Sequence, residues 1–275
     1  MSLFDTSSTE VKSVVINGVV VPVSAIPQTP PLDIAAATSS TVFTKWCQNV
    51  DPRFSLTSIQ FQSIDYFGPR VGFVKFICSG SFQGKPVPGV VFGRGSAVGI
   101  LAVLTCEGER WVVCCRQPRL PVGRHMLELP AGMMDDAGSF VGVAAKEMQE
   151  ETGIEINEGD LFDLTEKAYG AGTSGGAGGK QAILSGGPIH GMYPSSGACD
   201  EYIRLFYWTK EVSKDYLTEL QGKTTGCAAE GENIRIELVK YEDMWKTCPD
   251  CKAHSAMYLL EKLEALGLVT NCGLC

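Results

Sequence analysis

Apolar residues in the first half of the chain fall in short, β-branched runs. Residues 11–24 (VKSVVINGVVVPVS) place two such runs around Asn17-Gly18, a pair that favours a tight hairpin. Residues 26–42 hold Pro27, Pro30 and Pro31 followed by small residues, which predicts a linker. From Phe54 the pattern turns to strands: FSLTSIQFQSIDYF, then VGFVKFICSGSF, interrupted near Gly68-Pro69. A third run, VVFGRGSAVGILAVLTC, follows Pro88, and a fourth, WVVCCRQPRL, follows the turn at Glu107-Gly108. Four β-rich segments in succession predict a mostly antiparallel sheet.

The period changes at residues 139–152 (SFVGVAAKEMQEET). Val141, Ala144, Ala145 and Met148 fall at helical spacing, and Gly153 stands where a helix commonly ends. Residues 170–187, rich in Gly and Ser, predict a surface loop. Residues 201–208 and 233–241 read as strands, and 253–266 as a last helix with Ala256, Leu259, Leu260 and Leu263 on one face. Strands, one central helix, more strands and a closing helix describe an α+β domain with a mixed sheet.

Composition narrows the chemistry. Of 275 residues, 44% are hydrophobic, enough to bury one large core or a core plus a smaller piece. A net charge of −8 argues against a nucleic-acid partner. Eleven scattered cysteines and a start without a positive, apolar leader lead to the expectation of reduced thiols in a cytoplasmic compartment. No stretch has the length and purity of a membrane span.

The informative segment is 127–154 (LELPAGMMDDAGSFVGVAAKEMQEETGI). Glu147, Glu150 and Glu151 stand at i, i+3 and i+4 and share one helix face. Like charges so placed repel, unless the face is simply solvated or a hard divalent cation neutralises it. The turn at Ala131-Gly132 could bring a backbone carbonyl towards the same ion.

This segment resembles the Nudix box: Gly, five residues, Glu, seven residues, Arg-Glu, an apolar residue, any residue, Glu-Glu, any residue, Gly, apolar. Gly132, Glu147, Met148, Glu150, Glu151, Gly153 and Ile154 match. Gly138 stands where the first Glu is expected, and Lys146 replaces the Arg, keeping charge but losing the bidentate fork. The lead-in CRQPRLPVGR and LELPAG, and the later PSSGACDEYIRLF, LQGKTTG and AEGENIRIELVKYEDMW, are similar to those of ADP-ribose pyrophosphatases and plant-type ADP-sugar diphosphatases, from about Asp51 to Val269.

The resemblance implies an α/β/α sandwich and Mg²⁺-dependent hydrolysis of nucleoside diphosphate sugars, with Mn²⁺ as a substitute. It makes Glu147 and Glu151 the main metal ligands, assisted by Glu150 and the Ala131 carbonyl. Glu232, or Glu230 beside it, would be the base, with Glu232 also near the metal. Arg119 would contact the pyrophosphate, with Glu128 and Gly132 on the substrate side. The implied organisation is an extension with hairpin and linker over 1–50, a β subdomain over 51–94 that builds a homodimer, the hydrolase domain over 95–269 and a tail over 270–275. The rival expectation, from Gly138 and Lys146, is a nucleotide-sugar-binding module without turnover.

Other signals rank lower. Cys248-x-x-Cys251 and Cys272-x-x-Cys275 have near zinc-site spacing, but a helix between them separates the pairs. The last four residues fit a loose prenylation pattern without a polybasic stretch. The run 170–180 lacks the Gly-Lys-Ser/Thr ending of a phosphate loop. Cys199 beside Asp200 has no His near it in sequence and reads as a buried thiol.

Overall fold

The computed structural model describes residues 12–26, 31–134, 138–170, 190–227 and 231–269. The chain divides into two compact units, one of Met1–Ser96 with Ser195–Glu201, the other of Ala97–Pro194 with Tyr202–Cys275.

The first unit is built on a six-stranded sheet. Strands β1 (Lys12–Ile16) and β2 (Val19–Ala25) form the hairpin expected at Asn17-Gly18, where both turn residues have positive φ. Helices α1 (Ile34–Ser39) and α2 (Thr41–Asn49) follow. They occupy the stretch expected to be a linker; Asp33 and Ser40 cap them by accepting from Ala36 N at 2.9 Å and Phe43 N at 3.3 Å. Strands β3 (Phe54–Phe67) and β4 (Arg70–Phe82) form a long hairpin, completed by β5 (Lys85–Pro86) and β6 (Val90–Gly93). Strand β2 joins β3 in parallel, so the first hairpin is part of this sheet. Phe43, Phe61 and Phe76 pack ring against ring in its core.

The third β run of the sequence is two strands in two sheets. It breaks after β6, and β7 (Ala97–Cys106) opens the second unit. Strands β8 (Glu109–Arg119), β9 (Arg124–Glu128), β10 (Ala131–Met133), β11 (Phe162–Asp163), β12 (Ile203–Glu211), β13 (Thr224–Thr225) and β14 (Ile234–Lys240) complete an eight-stranded sheet. Strand β12 pairs with β7 in parallel; the other pairings are antiparallel, so the sheet is mixed.

The β7–β8 hairpin stays zipped only over Val103–Cys106 against Glu109–Val112. Beyond that the two strands part. Strand β10 takes the vacated edge of β7 and β9 that of β8. Leu129 and Pro130 therefore bridge a fork in the sheet, where Pro130 O accepts from Ile100 N at 2.9 Å. The fork is what places the Pro-Ala-Gly turn.

Helices cover both faces. Helix α3 (Phe140–Thr152) lies on one, burying Val143, Ala144 and Met148 against Val98, Ile100 and Val113. Helix α4 (Leu164–Tyr169) packs on the other face. Helices α5 (Lys214–Leu220) and α6 (Met244–Thr247) are short. Helix α7 (Cys251–Ala265) buries Ala253, Ala256, Leu260 and Leu263 on the α4 side. This unit is the expected α+β sandwich. Among the described residues no helix is long and apolar enough to cross a membrane.

Candidate active site

Helix α3 is fixed at both ends. Ser139 caps it by accepting from Gly142 N at 3.0 Å, and Gly153 ends it with φ 72°, its N–H bonding Gln149 O at 2.9 Å. Only Gly adopts that closing conformation without strain. The apolar stripe turns the helix so that Glu151 is 2% exposed, Glu147 half-buried and Glu150 exposed.

The Pro-Ala-Gly turn meets this acidic face directly. Glu151 Oε2 accepts from Ala131 N at 2.9 Å and from Cys115 Sγ at 3.7 Å. The Glu147 carboxyl lies over Gly132; a Cβ on Gly132 would stand 1.8 Å from Glu147 Oε1. Gly132 is required here for space, since two groups cannot share that volume.

The loop after β13 closes a third side. Gly226 N donates to Glu150 O at 3.3 Å, and Thr225 Oγ1 donates to Glu151 O. These bonds tie the loop to the end of α3. Glu232 Oε2 accepts from Cys227 N at 2.9 Å. Glu230 lies outside the described residues.

Burial pushes the Glu151 carboxyl up to about 8; the Ala131 N–H opposes this, the charges of Glu147 and Glu232 add to it, and Arg119 opposes it. Two further carboxyl groups and one guanidinium thus lie near enough to act on the Glu151 carboxyl. Burial also raises the Cys115 thiol well above its usual range, and the neighbouring Glu151 adds to the rise.

Arg119 ends β8 and is paired through Nε with Glu128 Oε2 at 2.8 Å, across the β8–β9 ladder. Arg116 is bound to Glu237 through Nε and, at 2.9 Å, through Nη2. Lys146 Nζ stands 3.4 Å from Glu150 Oε2 on the exposed flank of α3. Gly138 is exposed, and a side chain there would press on Val143.

The oxygen-only donors and excess negative charge of Glu147, Glu151 and Glu232 fit a hard divalent cation. They do not stand as a preformed cage: among the described residues, no three His, Cys, Asp or Glu side chains are drawn together tightly enough to hold an ion. Glu151 and Glu232 each have one oxygen engaged by a backbone N–H.

Two supporting groups escaped the sequence reading. Asp250, 5% exposed, caps α7 by accepting from Lys252 N at 3.0 Å, and accepts from Leu129 N at 3.0 Å. It also pairs with Lys252 Nζ at 3.0 Å, so α7 anchors the strand leading into the Pro-Ala-Gly turn. An Asp just before a helical run was the available signal. The other is Cys115, which strict alternation places with Val113 on the α3 side.

Two of the four candidate zinc ligands are among the described residues. Cys248 is buried, donating to Leu127 O at 3.2 Å, while Cys251 is exposed. Cys272 and Cys275, with the prenylation-like end, lie outside the described residues, as do 171–187 of the expected surface loop.

Residues 93–257 match the sequence model of the NUDIX domain. The chain is 36% identical over 250 residues to Nudix hydrolase 14, chloroplastic, of Arabidopsis thaliana, covering 87% of this chain and 76% of that protein. It is 38% identical over 73 residues to an uncharacterised Nudix hydrolase of Schizosaccharomyces pombe, covering 26% of this chain and 34% of that protein. A solved structure described as an ADP compounds hydrolase aligns with a TM-score of 0.48 at 15% identity, covering 79% of this chain and 97% of that one.

Proposed function

The chain belongs to the Nudix hydrolase family, and on that premise we propose that it hydrolyses the pyrophosphate bond of nucleoside diphosphate sugars such as ADP-ribose or ADP-glucose, with Mg²⁺ as cofactor. The observation that carries this reading is the clasp between α3 and the turn: Glu147 over Gly132, Glu151 on Ala131 N.

A divalent cation bound there would neutralise phosphate charge and lower the pKa of a water. Glu147 and Glu151 would hold it, helped by Glu150 and the Ala131 carbonyl. Glu232 takes the proton of the attacking water on Oε1, its Oε2 being held by Cys227 N. Glu230 is the alternative base. Arg119 exchanges Glu128 for the pyrophosphate oxygens, which suit a guanidinium's paired donors. Water adds at one phosphorus, the bridging oxygen leaves with the other phosphate, and the products are a nucleoside monophosphate and a sugar phosphate.

The test is a panel of ADP-ribose, ADP-glucose and UDP-glucose with product identification, with and without Mg²⁺. Metal-dependent release of AMP or UMP is expected. Absence of release from all three defeats the nucleotide-sugar assignment. A second reading, binding without turnover, draws on Lys146 being turned to Glu150 and on Gly138. It requires ADP-ribose to raise the melting temperature with no product formed.

We also propose a homodimer formed through the first unit's sheet. Tyr66, Phe67 and Val90, exposed by 48%, 41% and 51% within the strands over 54–92, support it. Sedimentation velocity is expected to show a dimer; a monomer across micromolar concentrations refutes it. The buried thiols support a reducing, cytoplasm-like compartment. An in-cell thiol trap that finds them oxidised would overturn that.

A further inference from the structure

We propose that Cys115 is a positioning residue whose buried thiol fixes the carboxyl of Glu151 for cation binding. The inference rests on Glu151 being a cation ligand, as proposed above.

Strand β8 alternates across the sheet. Cys114 faces the α7 side, in the core with Met244 and Cys248, whereas Val113 faces α3. Cys115 follows Val113 on the α3 face, and its Sγ reaches Glu151 Oε2 at 3.7 Å. Ala131 N, from β10, reaches the same oxygen at 2.9 Å. Two donors on opposite arms of the sheet fork therefore converge on one oxygen. Both donors bind Oε2, so Oε1 is the oxygen left for a cation.

The residue type suits the place. The carboxyl is 2% exposed, so water cannot readily supply its hydrogen bonds. Cys115 is itself fully buried in the central part of the sheet, between β9 and β14. An apolar side chain there would fill space but leave Oε2 with one donor. A charged donor would carry a large burial cost. A thiol fills the volume of a small hydrophobe and still donates, weakly, to an acceptor.

The test uses the full chain with Cys115→Val, Cys115→Ser and wild type. Mn²⁺ affinity is read by electron paramagnetic resonance without substrate, alongside kcat and KM. Val removes the donor, adding about one methyl group's volume, and is expected to weaken Mn²⁺ binding about tenfold and lower kcat about tenfold, the scale of one hydrogen bond to a charged group. KM is expected to stay within about twofold, because the lost contact touches the carboxyl and no substrate atom. Ser keeps a donor and is expected to recover most of both.

Cys115→Ala, close to Ser in size but without a donor, controls for overpacking: a purely structural role predicts that Ala binds Mn²⁺ at least as well as Ser, which buries a hydroxyl. Val equal to or better than Ser in Mn²⁺ affinity overturns the proposal, as does a wild-type chain that binds no Mn²⁺. Should Val lose its cooperative melt, Cys115→Ala against Cys115→Ser carries the same comparison. Mn²⁺ binding ordered as expected, with no nucleotide sugar cleaved, would sink the substrate assignment while leaving Cys115's role standing.

Discussion

Glu151→Gln is expected to lower kcat on the order of a thousandfold, the scale of losing a group that stabilises transition-state charge in a dry site. The amide keeps the shape, and its oxygen can still accept from Ala131 N, so the loss isolates the negative charge. The half-saturating Mg²⁺ concentration should rise in parallel. The fold should not suffer. Glu151 is buried beside Glu147 and Glu232, so the neutral amide removes a repulsion.

That difference has a direction in pH. Without added cation the folded chain holds the Glu151 proton up to about pH 8, whereas the unfolded chain releases it in the ordinary carboxylate range. Unfolding therefore releases a proton between those limits, and stability falls as pH rises through that window. The melting temperature of Glu151→Gln should gain on wild type from about pH 5 to pH 8, and Mg²⁺ should cancel the gain. A variant with wild-type turnover would remove Glu151 from the metal site.

Gly132→Ala should separate activity from stability. The new Cβ would stand 1.8 Å from Glu147 Oε1 and 2.0 Å from its Cδ, an impossible overlap. The colliding group is the end of a half-buried, flexible side chain, not backbone, so it is the carboxyl that moves. Stability should change by less than about 1 kcal/mol, the range of well-tolerated substitutions. The carboxyl, once displaced, no longer shares the turn with Glu151. The rate is expected to fall at least about a hundredfold, as a misplacement near 1 Å can cost that much. Thermal melts and steady-state kinetics on one preparation check both halves. A fully active variant would show that Glu147 need not rest on Gly132.

The chemistry of the site was legible because it is local. Glu147, Glu150 and Glu151 repeat at helical spacing within one segment, with Gly132 and Gly153 bounding it. The Asn17-Gly18 hairpin was legible for the same reason. What escaped depends on partners distant in sequence. One break was legible in the sequence all the same: Gly93-Arg94-Gly95-Ser96 interrupts the apolar run from Val90 to Cys106, between the two sheets. Parallel pairing of β12 with β7 joins residues about a hundred apart, and no pattern within either strand encodes it. Cys115 looks like any core position until the fork brings Glu151 beside it. Asp250 carried a readable cap signal, but its bond to Leu129 N spans 121 residues.

We propose that the acidic face of α3 and the Pro-Ala-Gly turn together hold a divalent cation. This claim is tested most directly by titrating Mn²⁺ into the substrate-free chain and into a Glu147→Gln, Glu151→Gln double variant, following free ion by electron paramagnetic resonance. Saturable binding to wild type and none to the double variant is the predicted result. Equal binding by both chains would contradict the account.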